Sequence, residues 1–332
     1  MKVTLRHISE STGYSLSTVS RVLRGSDKYN SETVNRILET AKKLKYPLER
    51  IHAASYNRPY NNIALVTNFK EGEFYASFYY GYIKATLSTD YNVSLISLPE
   101  PRTMFRECID MLYDQHFRGA ILFIPEFTKE DYEKLLEFIP SDFSVVSNAL
   151  IENPVLPTIT FDGYSAGHTV AVHFHNRGYR TAGIVKGPGY KAEARYRYNG
   201  FRDYVAQSSE IELIFESEGD FTYEAGCRAF GEYMALENKP RSVFLTNDLM
   251  CHGFLECAKE AGLSIPGHVA LAGYDDLPMC VHSHPKLTSV KTDFRRLAQT
   301  TLRVLNNQQV ANQPEIGIQS LIPVDITVRE SS

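Results

Sequence analysis

Three side chains in the second half of the chain carry the chemistry needed to hold a polyhydroxylated molecule. Arg197, Asn247 and Asp275 each fall at a loop that follows a predicted strand, or at the start of the helix after it. Arg197 is a bidentate donor, while Asn247 and Asp275 supply acceptors, and sugar hydroxyls both donate and accept. Phe221 or Tyr190 can stack on the apolar face of a sugar ring. Asn68, after the first predicted strand, and Asn148, after the strand at Val145-Val146, would face these groups from another lobe. Phe74-Tyr75-Ala76-Ser77-Phe78-Tyr79-Tyr80-Gly81-Tyr82 begins a helix whose first residues, Phe74 and Tyr75, would point at the same cleft. The later aromatics in that run read as core or dimer surface. Asp248 and Asp276 read as caps of helices or turns.

A second constellation lies near the start, at Gly13-Tyr14-Ser15-Leu16-Ser17-Thr18-Val19-Ser20-Arg21-Val22-Leu23. Gly13 can take a positive φ after a helix, and Ser15 is a good N-cap. Val19, Val22 and Leu23 recur at helical spacing and face a core. The other face holds Leu16, Ser17, Thr18, Ser20 and Arg21. Small polar residues at a helix N-terminus, followed by an arginine one turn later, suit a DNA major groove. They also suit the capped helix of an ordinary small domain. Charge favours the first reading. Residues 1–58 hold 11 Lys and Arg against 5 Asp and Glu, a net of +6, and the remainder holds 24 against 34, a net of −10. A basic head on an acidic body meets a polyanion.

Other chemistries find less support. Gly187-Pro188-Gly189-Tyr190-Lys191-Ala192 fits the glycine-rich dinucleotide fingerprint between strand and helix, with Glu210 or Glu212 about twenty residues on. An NAD(P)-dependent enzyme is therefore the alternative class, although Pro188 constrains the phosphate loop. His173 and His175 share a predicted helix at a spacing that points them to different faces, and His282 and His284 lack nearby cysteine or carboxylate partners. No metal or other cofactor is expected. The chain has no nucleophile elbow and no Walker loop.

The elements that must position these residues follow from periodicity. Thr4 can cap a first helix to Ser11, with Leu5 and Ile8 buried. Ser31 can cap a third helix to Leu44, with Val34, Ile37, Leu38, Ala41 and Leu44 inward. Three short helices, the first two joined by a tight glycine turn, make a helix-turn-helix unit. From residue 62 strands and helices alternate in two successive series, which predicts two Rossmann-like lobes of parallel sheet covered by helices on both faces. Ligands gather at the carboxyl ends of such strands. The 332 residues are 43% hydrophobic and 12% aromatic, ample for packed cores, and hold no run long enough to span a membrane. Five scattered cysteines, without a Cys-x-x-Cys pair, and a start that runs directly into helical pattern fit a cytoplasmic protein.

Thr4-Leu5, Ile8, Gly13-Tyr14-Ser15, Thr18-Val19-Ser20-Arg21-Val22-Leu23 and Tyr46 together resemble the headpiece of the lactose-repressor (LacI/GalR) family of transcriptional regulators. Gly219-Asp220-Phe221, Thr246-Asn247-Asp248, Gly273-Tyr274-Asp275-Asp276 and Pro285-Lys286-Leu287-Thr288-Ser289-Val290 extend the resemblance over essentially the whole body. It implies a helix-turn-helix headpiece at 1–46, a hinge or linker at 47–61, and an effector-binding and dimerisation domain at 62–332 with the periplasmic-binding-protein fold. Lobe 1 would cover about 62–161 plus 292–320, and lobe 2 about 162–291 plus 321–330. It implies a homodimeric repressor on a pseudo-palindromic double-stranded operator, controlled by a small molecule, with a carbohydrate the first choice, and no membrane partner. Leu16, Ser17 and Arg21 would read bases, with Thr4, Thr18, Ser20, Arg24 and Arg50 completing the DNA contacts. Arg197, Phe221, Asn247 and Asp275 match the family's effector contacts. The linker departs from the family pattern: Pro47 sits one place early, and the leucine wedged into the minor groove has no clear counterpart, Ser55 being nearest.

Overall fold

The computed structural model describes residues 4–23, 29–44, 46, 61–140, 143–311 and 317–332. Arg24, Arg50 and the linker residues 47–60 lie outside them. The headpiece helices belong to one compact unit and the α/β body to another.

In the headpiece, α1 (Leu5–Thr12), α2 (Leu16–Leu23) and α3 (Ser31–Lys43) each begin at a cap. The Thr4 backbone N–H donates to His7 Nδ1 at 3.0 Å, and the Thr18 N–H donates to Ser15 Oγ at 3.1 Å. The cap of α3 is Asn30, one residue before the expected Ser31, because its Oδ1 accepts the Thr33 N–H at 2.9 Å. Gly13 closes α1 with φ 76°. Ile8, Val19, Val22, Leu23, Val34, Ile37 and Ala41 fill one small core. Each larger aliphatic there contributes roughly 1.5–3 kcal/mol by leaving water, which turns the remaining face of α2 outward.

The body contains two six-stranded sheets. The first has the order β11-β5-β4-β3-β1-β2 and uses β1 (Asn62–Thr67), β2 (Asn92–Ser97), β3 (Gly119–Phe123), β4 (Ser144–Ser147), β5 (Thr158–Phe161) and β11 (Gln319–Ile322). Its helices are α4 (Glu73–Thr86), α5 (Pro101–Asp114), α6 (Lys129–Leu136) and α12 (Phe294–Ala311). The second has the order β12-β10-β9-β8-β6-β7, with β6 (Thr181–Lys186), β7 (Glu212–Glu218), β8 (Ser242–Leu245), β9 (Ala270–Asp275), β10 (Thr288–Lys291) and β12 (Asp325–Thr327). Here α7 (Gly163–Asn176) and α8 (Ala192–Gln207) cover one face, and α9 (Tyr223–Ala235) and α10 (Asp248–Glu260) cover the other. The short α11 (Met279–His282) follows β9. Neighbouring strands from β11 to β1 run parallel, as do those from β10 to β7, while β12 is antiparallel to β10.

The chain passes between the sheets after β5, after β10 and after β11. The last passage corrects the expected boundary at 321. Leu321 and Ile322 extend the parallel ladder opposite Thr160 and Phe161, and Ile322 is buried in the first-sheet core. The return strand therefore remains with the first lobe until its backbone groups have been paired.

The crossing of α7 and α8 is set by missing side chains. A Cβ at Gly200 would lie 1.9 Å from the Tyr164 carbonyl oxygen, and one at Gly167 would lie 2.0 Å from that of Arg197. Only glycines allow the backbones to approach so closely, and that approach places the α8 segment carrying Arg197. Gly200→Ala should lower the unfolding free energy by about 1–3 kcal/mol or more, because rigid backbone must move to accept the methyl. Urea denaturation checks this, and an unchanged midpoint at an unchanged slope would contradict it.

Candidate functional site

Two surfaces answer to the residues singled out by sequence. On the headpiece, Val19, Val22 and Leu23 face the core, while Ser17 and Arg21 are exposed and Leu16 is 50% exposed. Thr18 and Ser20 are half-buried beside them, and Thr4 is exposed at the start of α1. Ser15 Oγ lies 2.8 Å from both Ser17 Oγ and Thr18 Oγ1, so one hydroxyl organises the first turn of α2. The outward face offers an apolar contact, hydroxyls and one guanidinium. That combination can contact base edges and phosphates.

In the body, a cavity of about 540 Å³ opens at the carboxyl ends of both sheets. The first lobe lines it with rings: Phe74, Tyr75 and Phe78 from α4, Phe123 from β3, Phe161 from β5 and Phe294 from α12. Phe74 packs against Phe123 and Phe294 with ring centroids 5.6 Å apart in each case, and Phe78 meets Phe123 at 4.9 Å. The second lobe supplies Lys191, Glu193 and Arg197 from the start of α8, Asp220 and Phe221 after β7, Asn247 before α10, and Tyr274 and Asp275 from β9.

Arg197, Phe221, Asn247 and Asp275 are thus brought together. Arg197 Nη1 donates to the Thr246 carbonyl at 2.6 Å, its guanidinium lies 3.5 Å from the Tyr274 ring centroid, and its Nε is buried without a partner. Asn247 caps α10, its Oδ1 accepting the Met250 N–H at 3.0 Å. Its Nδ2 donates to the Phe221 carbonyl at 3.0 Å and braces Phe221 at a left-handed φ of 71°. Asp275 is 5% exposed, sits at φ 115°, and has an Oδ1 with no hydrogen-bond partner. Burial pushes its carboxyl well above the usual range and nearby Asp248 adds to this, while Arg197 opposes it. Among the described residues, no ion pair joins Arg197 to Asp275. The floor holds ligand-ready groups that the fold itself does not satisfy.

Three expected contacts do not hold in that form. Asn68 does not line the cavity. It follows the last residue of β1, and the next N–H, that of Phe69, turns away to Ser97 Oγ at 3.3 Å. Tyr190 is 66% exposed and stands outside the lining. Asn148 does line the wall, but its amide is fully engaged. Its Oδ1 accepts the Tyr82 hydroxyl, and its Nδ2 donates to the Ile159 carbonyl at 2.8 Å and to Thr301 Oγ1 at 2.9 Å. It staples β4 to α4, β5 and α12.

Sequence reasoning missed Glu193 and Tyr274. Glu193 lies one turn before Arg197 on α8, and that i,i+4 spacing was the available signal. Its Oε1 accepts the Leu150 N–H at 2.7 Å, and its Oε2 is buried without a partner. Burial raises its carboxyl, against the pull of the Leu150 N–H, Arg197 and Lys191.

The glycine fingerprint has another explanation. A Cβ at Gly187 would lie 2.3 Å from the Phe221 ring, so that glycine makes room for the chain's own aromatic rather than for a pyrophosphate. The paired histidines also diverge. His173 Nε2 meets Ser332 Oγ at 2.8 Å, whereas His175 Nδ1 meets Tyr204 at 2.6 Å.

Comparison with known proteins agrees with this geometry along the whole chain. Residues 171–332 match the periplasmic binding protein-like domain. The repressor PurR of Photobacterium profundum is 21% identical over 99% of this chain and 98% of its own. Catabolite control protein A of Priestia megaterium is 23% identical over 100% of both. The chain thus resembles repressors of the LacI/GalR type along its whole length. Among solved structures, the Lac repressor bound to ONPG superposes with a TM-score of 0.74 at 22% identity over 100% of both chains. The CelR–cellobiose complex gives 0.70 at 23% identity, over 99% of this chain and 100% of that one.

Asp248 and Asp276 serve the fold rather than the cavity. Asp248 Oδ1 accepts the Ser289 hydroxyl at 2.5 Å and its Oδ2 accepts the Leu277 N–H at 2.8 Å, while Asp276 pairs with Arg329 at 2.6 Å. Burial pushes the Asp248 carboxyl up to about 7, and Asp276 adds to the shift. The folded state then holds a proton that the unfolded chain releases near pH ~4. This group's contribution to stability therefore falls as pH rises from about 4 to about 7, by at most about 1.4 kcal/mol per pH unit. Asp248→Asn should flatten the pH dependence of unfolding in that window relative to the parent, as read by denaturant titrations at successive pH values.

Proposed function

We propose that the protein is a cytoplasmic, homodimeric, sequence-specific DNA-binding repressor whose operator affinity is set by a small carbohydrate in the body cavity. The observation that carries this reading is the pairing, in one chain, of a capped helix presenting Leu16, Ser17 and Arg21 with a cavity whose floor leaves Arg197 Nε and Asp275 Oδ1 unsatisfied. Repressor names among the curated relatives, a Lac repressor structure bound to operator, and the cellobiose complex of CelR support it. Residues 1–46 act as the DNA reader, 47–61 as the linker, and 62–332 as sensor and dimerisation domain. No helix of the described residues is long and apolar enough to cross a membrane.

Arg21 pairs with a guanine edge, Leu16 makes apolar contact, and the hydroxyls of Ser17, Thr18 and Ser20, with Thr4, contact the backbone or bases. Effector binding shifts a population between arrangements of the two lobes, and a coupling of ~1–3 kcal/mol suffices for a working switch. Contacts already join the lobes around the cavity: Glu73 accepts the Met279 N–H at 2.8 Å, and Lys191 lies 3.5 Å from Glu126. A ligand that strengthens or breaks such contacts changes the balance between states.

Arg21→Ala should abolish sequence preference, a loss of roughly 1–3 kcal/mol of discrimination, while retaining weak salt-sensitive binding. Footprinting and competition binding at two salt concentrations check this, and undiminished specificity would remove Arg21 from the base-reading role. A thermal-shift panel of sugars and purines tests the effector class. Stabilisation by purines and by no sugar would replace the carbohydrate reading.

A further inference from the structure

The cavity floor holds two buried carboxyl groups that the fold leaves incompletely paired. Glu193 Oε2 and Asp275 Oδ1 are both buried without a hydrogen-bond partner, and both residues line the cavity. The cations nearby are directed elsewhere. Arg197 donates to the Thr246 carbonyl and lies flat on Tyr274, and among the described residues it forms no ion pair with either carboxylate. Lys191 turns to Glu126 at 3.5 Å. Glu193 has one oxygen held by the Leu150 N–H and the other without a partner in the fold. A neutral hydroxyl can give that oxygen a hydrogen bond but cannot offset its charge, whereas an ammonium does both.

We propose that the effector is an amino sugar whose protonated amine donates to Glu193 Oε2, while its hydroxyls donate to Asp275 and accept from Arg197 Nε. This rests on the carbohydrate reading of the cavity and narrows it to hexosamines. Glu193 is then the residue that separates an amino sugar from its parent hexose. A proton balance accompanies the step. Burial favours the neutral carboxyl at both Glu193 and Asp275, with Arg197 opposing at each, Lys191 opposing at Glu193 and Asp248 reinforcing at Asp275. A bound cation reverses that preference, so a carboxyl that was protonated releases its proton to solvent as the complex forms.

Isothermal titration of the full chain with glucosamine, galactosamine and mannosamine, beside the parent hexoses and the N-acetyl derivatives, tests this. One amine should bind about tenfold or more tightly than both its parent and its N-acetyl form, because only the amine supplies the opposite charge. Repeating the titration in buffers of different ionisation enthalpy should show proton release for the amine and none for the neutral sugars. Glu193→Gln keeps an oxygen for the Leu150 N–H while removing the charge. It should bring the amine's affinity down to that of the parent hexose measured on the same variant, and retain a normal melting transition. If parent hexoses bind as well as their amines, without proton release, the amine proposal is overturned and the carbohydrate reading stands. If neither amines nor hexoses bind, both are overturned. The affinity ratio and the proton release are read on the unmodified protein, so a poorly folding variant does not decide the outcome.

Discussion

Much of the α/β body hangs on one buried carboxyl group. Asp248 begins α10 directly after the cavity-lining Asn247, and it reaches two other segments at once. The Ser289 hydroxyl on β10 and the Leu277 N–H beyond β9 both donate to it. Leu277 is itself buried in the core of the opposite lobe. A single side chain thereby couples a helix start, a sheet and a loop inserted across the cleft. The arrangement needs space: a Cβ at Gly273 would lie 2.3 Å from Asp248 Oδ1. It also needs the carboxylate to be satisfied, since an unpaired buried charge costs several kcal/mol. Those two requirements place the turn carrying Tyr274 and Asp275, and hence the floor of the cavity.

The same logic separates what could be read in the sequence from what could not. Helix and strand alternation, the inward face of α2 and the charge asymmetry are local or additive properties, and they transfer directly to the fold. The place of Arg197, Asn247 and Asp275 on the cavity wall was legible because parallel sheets open clefts at the carboxyl ends of their strands. Asn148 obeys that positional rule, yet its amide is engaged by Tyr82, Ile159 and Thr301, partners up to 153 residues away. Whether a polar side chain is free depends on such distant partners, and spacing does not encode them. The cap at Asn30 and the late crossing after Ile322 have a related cause. In each case a hydrogen-bond donor or ladder partner moved a boundary by one or two residues.

The glycine-rich turn after β6 shows how one pattern serves two physical ends. In a dinucleotide fold, a glycine there lets the backbone approach a pyrophosphate. Here the vacant Cβ position at Gly187 lies against the Phe221 ring. Phe221 in turn is held at positive φ by Asn247, whose other amide atom caps α10. The motif marks a close approach in both folds, and only the neighbouring residues reveal what approaches.

Glu193 joins the two lobes of the body. One of its oxygens accepts the N–H of Leu150, from the loop that follows β4 in the first lobe, and the other is buried without a partner, while the residue lines the cavity. The bond across the cleft and the interaction with ligand therefore draw on the same carboxylate. A group that binds the free oxygen alters the charge available to the bonded one, and with it the strength of a contact between lobes. Lys191, two residues earlier, repeats the design by pairing with Glu126 across the same cleft. The first turn of α8 is thus both a wall of the cavity and an edge that holds the lobes together. A ligand whose hold on that carboxylate differed between two lobe arrangements would shift the balance between them, with no separate relay.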